Sequence, residues 1–165
     1  MNRPTLVKTA CEVVTLATHY KGKPHKEMGL DGLLYGVLWA RFKVVRQFHI
    51  RSSGRSHPKR IDFKQLGNNP VVIEFVTRTE TRGEIYGSQN RSELVKLSKQ
   101  IKMRSRFLVL LDISGEKPIA ESRLKATYDP VKTTRGKYPR TSVRVIYIHP
   151  KEQYHFLWNP RKRRK

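Results

Sequence analysis

Thirteen Asp and Glu residues stand against 35 Lys and Arg in this 165-residue chain, so where each acid sits is informative. Glu74 lies in the middle of the most apolar run, VVIEFVT, where an ionised carboxylate is costly to bury unless a cation or hydrogen bonds compensate it. Asp62 lies in the alternating segment just before it, RIDFKQ, and the intervening QLGNNP holds one Gly and two Asn, as a hairpin connection would. A hairpin turning about Asn68 sets residues whose numbers sum to 136 opposite each other. Asp62 and Glu74 then become cross-strand neighbours with Cβ atoms roughly 5 Å apart. Two carboxylates so placed repel each other and call for a cation. Mg²⁺ or Mn²⁺, hard ions that prefer oxygen ligands, answer that need. A divalent ion there would activate water and stabilise the charge developing on a phosphodiester. The plainer alternative is that either acid pairs with a nearby cation, for example Arg60 or Arg78.

Periodicity supplies the elements that must carry these acids. Residues 30–42 (LDGLLYGVLWARF) read as a helix, with Leu30, Leu34, Val37 and Leu38 on one side. Residues 43–50 (KVVRQFHI) and 60–65 read as strands, and 71–77 as the strongest strand, nearly continuously apolar and therefore central. Asn90 and Glu93 stand at capping-box spacing. They predict a helix whose apolar face is Leu94, Leu97 and Ile101 and whose other face carries Lys96, Lys99 and Lys102. Residues 107–113 (FLVLLDI) and 142–148 (SVRVIYI) are two further buried-looking strands, the second ended by Pro150. Residues 118–140 read as loop with room for a short helix.

The net charge of +22 points to a polyanionic partner, because so basic a surface concentrates and captures nucleic acid. The residues expected to grip phosphates are Arg51, Arg55, Lys59 and Arg60 in and around a Ser/Gly/Pro-rich loop; Arg78; Lys96 and Lys99 on the predicted second helix; and the terminal Arg161, Lys162, Arg163, Arg164 and Lys165. The aromatics Tyr147, Tyr154, Phe156 and Trp158 are read as closing one edge of the core, with base stacking as the alternative.

Other classes drop out. Cys11 is the single cysteine, so neither an internal disulfide nor a cysteine zinc site is expected, which suits a reducing compartment: cytoplasm, nucleoid or, for a viral chain, the host-cell interior. No apolar run reaches the roughly 18 residues needed to span a bilayer, and no membrane partner is expected. Glu12 interrupts the N-terminal segment, so no cleaved signal peptide is expected. The six His show no metal-pair spacing, and there is no phosphate-binding glycine loop or nucleophile-elbow motif.

The run RIDF, a short turn, then VVIEF, followed by a helix and FLVLLDIS, resembles the PD-(D/E)XK nuclease superfamily over about residues 29–114. The resemblance implies a restriction-endonuclease-like core, with Asp62 and Glu74 as metal ligands. The lysine expected two residues after the Glu is replaced by Val76, and the proline before the Asp by Ile61. Lys64, two residues beyond Asp62 and on its face, is the expected substitute, with Lys96 or Lys99 as alternatives, Gln100 at the site edge, and Asp31 as an additional acid of the kind some members carry.

The expectation is therefore an α/β protein with a central mixed sheet flanked by helices. It is divided into a helical N-terminal segment (1–28), the core (29–150) and a basic tail (151–165). It binds nucleic acid, DNA ahead of RNA, and cleaves phosphodiester bonds with Mg²⁺ or Mn²⁺ at Asp62 and Glu74. The catalytic residues are Asp62, Glu74 and Lys64, and a homodimer is compatible with this reading. The alternative is a non-catalytic, basic nucleic-acid-binding or assembly protein that keeps the fold, favoured by Val76.

Overall fold

The computed structural model describes residues 2–19, 27–50, 59–79, 85, 88–128 and 141–159. Of positions 19, 27–31, 47–50, 59 and 88–89, only the backbone is described. Ten elements follow in the order α1 (Arg3–His19), α2 (Glu27–Phe42), β1 (Val44–Ile50), β2 (Lys59–Gln65), β3 (Val71–Arg78), α3 (Ser88–Ser98), β4 (Ser105–Asp112), α4 (Glu121–Tyr128), β5 (Val143–His149) and β6 (Glu152–Trp158). The six strands form one sheet in sequence order. β1, β2 and β3 run as an antiparallel meander, β3, β4 and β5 are parallel, and β6 returns antiparallel to β5. This is an α/β fold with a mixed sheet, as the alternation of periodicities implied.

The two faces of the sheet bury separate cores. Alternate residues of β3, Val71 and Ile73, meet Leu6, Ala10 and Val13 of α1 and Leu34 and Leu38 of α2. The intervening Val72 and Val76 join Leu94 and Leu97 of α3 and Leu124 and Tyr128 of α4. Because β3 and β4 are covered on both faces, their apolar runs are nearly unbroken, as expected of buried parallel strands.

Several expectations need correction. Helix α1 packs into the same core as α2, so residues 3–19 belong to that core rather than to a segment apart from it. Residues 152–158 are strand β6 rather than tail, and the buried Phe156 and Trp158 close the α4 side of the core. Tyr147 is buried with them and Tyr154 packs against the cluster, so these rings serve the core edge. Helix α3 begins at Ser88, which puts Asn90 inside the first turn rather than at its cap. The helix stops at Ser98, leaving Ile101 57% exposed. Arg106 explains that stop. Its guanidinium collects the carbonyls of Gln100 (2.8 Å), Met103 (2.6 Å) and Ile101 (3.3 Å) and holds the chain in a tight loop before β4.

Candidate active site

The β2–β3 hairpin has the register read from the sequence: Phe63 faces Ile73, Lys64 faces Val72 and Gln65 faces Val71. Gly67, at φ 116°, supplies the left-handed backbone of the turn. The ladder ends at Phe63. In a continued ladder Phe75 would face Ile61; instead Asp62 Oδ2 accepts the Phe75 backbone N–H at 2.8 Å. Beyond this point β2 is paired with β1 alone, through Ile50 and Lys59, and a two-stranded ribbon twists more strongly than a sheet. That twist accounts for Ile61 joining the α3 side of the core while Phe63, two residues on, lies across the sheet.

The same hairpin register sets Asp62 against Glu74, and the two carboxyls are hydrogen bonded to each other. Glu74 is 3% exposed. Its carboxyl is pushed up to about 10, by burial first and then by the negative charge of Asp62. At neutral pH it therefore holds a proton, which it donates to Asp62. One of two carboxylates sharing a site must do so when no ion neutralises both.

The lysine at this site is Lys96 of α3. Its ammonium lies 2.5 Å from Glu74 Oε1, meets Glu93 Oε2 one helical turn back, and donates to the Arg60 carbonyl at 2.6 Å. Neither glutamate oxygen gains a well-aligned hydrogen bond from it, so the attraction to Glu93 is ionic and that to the protonated Glu74 is one of charge to dipole. The carboxylates outweigh the desolvation of Lys96 and keep its ammonium more basic than usual. The arrangement is self-consistent: a protonated Glu74 bridges to Asp62, and Lys96 balances Glu93.

The remaining predicted site residues divide clearly. Lys64 is half-buried and faces Val72, two positions nearer the turn than Asp62. Val76 is buried in the α3-side core. Gln100 is half-buried, and its carbonyl and amide serve the loop after α3. Lys99 and Arg60 are exposed. Arg51, Arg55, Arg161, Lys162, Arg163, Arg164 and Lys165, and the side chains of Asp31 and Lys59, lie outside the described residues.

Two phosphate-gripping assignments are corrected. Lys96 is turned inward to the glutamates rather than outward to a polyanion. Arg78 is buried, with its guanidinium 2.9 Å from Asp112 Oδ2. Asp112, with no exposure, also accepts from the Tyr147 hydroxyl (2.6 Å) and from the Ser114 hydroxyl (2.7 Å). These bonds hold the Asp112 carboxyl below its ordinary range despite burial. Glu93 was read as a cap; its role beside Lys96 was legible only as a pair three residues apart on one helix.

No family model matches the chain and no curated protein matches it. Among solved structures, it is similar to one described as "Crystal structure of SSO0001", at 13% identity and a TM-score of 0.35. The match covers 94% of this chain and 66% of that one, so the chain spans just under two thirds of that neighbour's length. So low a score supports no assignment of fold family or function. Among the described residues, no helix is long and apolar enough to cross a membrane.

Proposed function

We propose that this chain binds nucleic acid, DNA ahead of RNA, and hydrolyses its phosphodiester bonds with a divalent ion held by Asp62 and Glu74. The observation that carries this reading is the carboxyl pair itself. In a chain of net charge +22, two of the few acids are pressed together and one is kept protonated. Both offer hard oxygen donors on one face, a set that fits Mg²⁺ or Mn²⁺. Among the described residues no group of three His, Cys, Asp or Glu completes the set, and a small divalent ion commonly keeps water and substrate oxygens in its remaining positions. Bound there, the ion supplies Lewis-acid activation of water and neutralises charge at the scissile phosphate.

The protein residues do the rest. Asp62 is oriented by the Phe75 amide, so its second oxygen keeps a fixed direction. Lys96 keeps a permanent positive charge against Glu74, and Lys64, two positions from Asp62 on β2, orients water. The order of elements, a helix, an antiparallel meander, a helix and a strand parallel to the third, also agrees with the PD-(D/E)XK resemblance.

One observation favours the non-catalytic alternative. All three ammonium contacts of Lys96 are already committed to protein groups, and Val76 replaces the family lysine. Incubation with supercoiled DNA, linear DNA and RNA separates the two. The nuclease reading expects nicking or degradation with Mn²⁺ or Mg²⁺ that stops with EDTA and in Glu74→Gln. Binding without metal-dependent cleavage of any of the three substrates overturns it.

A further inference from the structure

On the opposite side of the sheet from Glu74, the N-terminal ends of β3 and β4 and the start of α1 enclose a cavity of about 710 Å³. Three arginines from separate elements line it: Arg3 from α1, Arg104 from the loop before β4, and Arg144 from β5. Arg144 faces this side because its neighbours Val143 and Val145 belong to the other core. No Asp or Glu lines the cavity, and none of the three arginines is ion-paired among the described residues.

Their bonds are to neutral groups. Arg104 Nη1 donates to Asn69 Oδ1 at 2.5 Å, and Arg3 Nη1 lies 2.5 Å from His155 Nε2. These contacts fix two guanidiniums without neutralising them. Desolvation first, then the charges of Arg3 and Arg144, hold the His155 imidazole below its ordinary range. The dipole of α1 has the same sign at this end. The rest of the lining is mixed: Asn2, Thr5, Asn69 and Ser105 are polar, and Pro4, Phe42, Val71 and Phe107 are apolar.

We propose that this cavity binds a phosphate monoester of nucleotide size. Three arginines around one cavity suit a doubly charged monoester better than a singly charged diester. The volume falls in the range of small-ligand sites, roughly 300–1,000 Å³, and Phe42, Val71 and Phe107 offer apolar surface for a ring. The ligand is either a free nucleoside monophosphate or the phosphorylated end of a strand. The site is separate from the carboxyl pair and does not depend on cleavage.

Calorimetry on the full chain, in EDTA so that the carboxyl pair plays no part, compares adenosine monophosphate with adenosine. A short oligonucleotide carrying a terminal phosphate is compared with its hydroxyl form. The phosphorylated member of at least one pair should bind about tenfold tighter or more. If only the oligonucleotide pair discriminates, the site takes strand ends; if both do, it also takes free nucleotides. Arg104→Gln with Arg144→Gln should remove the preference, whereas the exposed pair Lys102→Gln and Lys117→Gln should keep it. Arg104 is exposed, so Arg104→Gln alone, with its fold checked by near-ultraviolet circular dichroism, gives the same comparison if the double variant does not fold. Equal binding with and without the phosphate overturns the proposal, and so does a preference that survives in the folded arginine variant.

Discussion

Replacing Glu74 by Gln should remove a pH dependence of stability that the wild-type protein carries. Glu74 is almost wholly buried, and its carboxyl rises from 4.5 to about 10. Between those values the folded chain holds a proton that the unfolded chain has released. Stability from this group is therefore complete below the ordinary Glu value and declines as pH rises toward the folded one. The slope is about 1.4 kcal/mol per pH unit, or about 3 kcal/mol between roughly pH 6 and pH 8. A glutamine amide keeps a donor for Asp62 and an acceptor for Lys96, as the protonated acid does, but does not titrate. Urea unfolding of both proteins in EDTA, across that interval, isolates the effect because the histidines are common to both. The variant should already be the more stable near pH 6, by about 2 kcal/mol, and its lead should grow to about 5 kcal/mol near pH 8. Mn²⁺ should then stabilise wild type, more at the higher pH, and leave the variant unchanged. Parallel pH profiles for the two proteins would refute the reasoning.

Arg78→Met should cost about 3 kcal/mol in urea unfolding, because it strips the cation from the buried Asp112 carboxylate, while leaving DNA affinity unchanged in a filter-binding assay. Lys96→Met should cost about 2–3 kcal/mol by leaving Glu93 without its partner, and should reduce metal-dependent cleavage. Lys64→Ala should slow cleavage with binding retained; an unchanged rate would remove Lys64 from the mechanism. Nucleic-acid affinity should fall steeply with salt, and deleting residues 161–165 should flatten the log–log slope by roughly two to four, measured by fluorescence anisotropy.

The strands that carry the acids were readable because their signals are local. The apolar run around Glu74 and the Gly–Asn turn together specify the hairpin register, and the register brings Asp62 to Glu74. What was not readable depends on contacts across long separations. Arg78 ends a strand and reads as a surface cation; only the fold brings it to Asp112, 34 residues away. Lys96 reads as part of a solvated helix face, and nothing periodic shows that this turn of α3 lies over the point where β2 leaves β3. Strand β6 was hidden by its own pattern. Its residues are mostly exposed apart from Phe156 and Trp158, as an edge strand allows, and the charges that follow it suggested a tail.

The early end of the β2–β3 ladder also bears on motion. Among the described residues, the outer half of β2 beyond Phe63 is tied to the body of the fold by the Asp62 bonds to Phe75 and Glu74, the Lys96–Arg60 bond and the Ile61 side chain. These few ties make the outer β1–β2 ribbon a unit able to open without unfolding the parallel core, since regions with few cross-contacts open at low free energy. Amide exchange should be slowest in β4, which is paired on both sides and buried along its length, and faster in the outer part of β2. Lys96 thus sets two things with one ammonium: the charge balance at Glu74 and the rate at which the neighbouring ribbon lifts away.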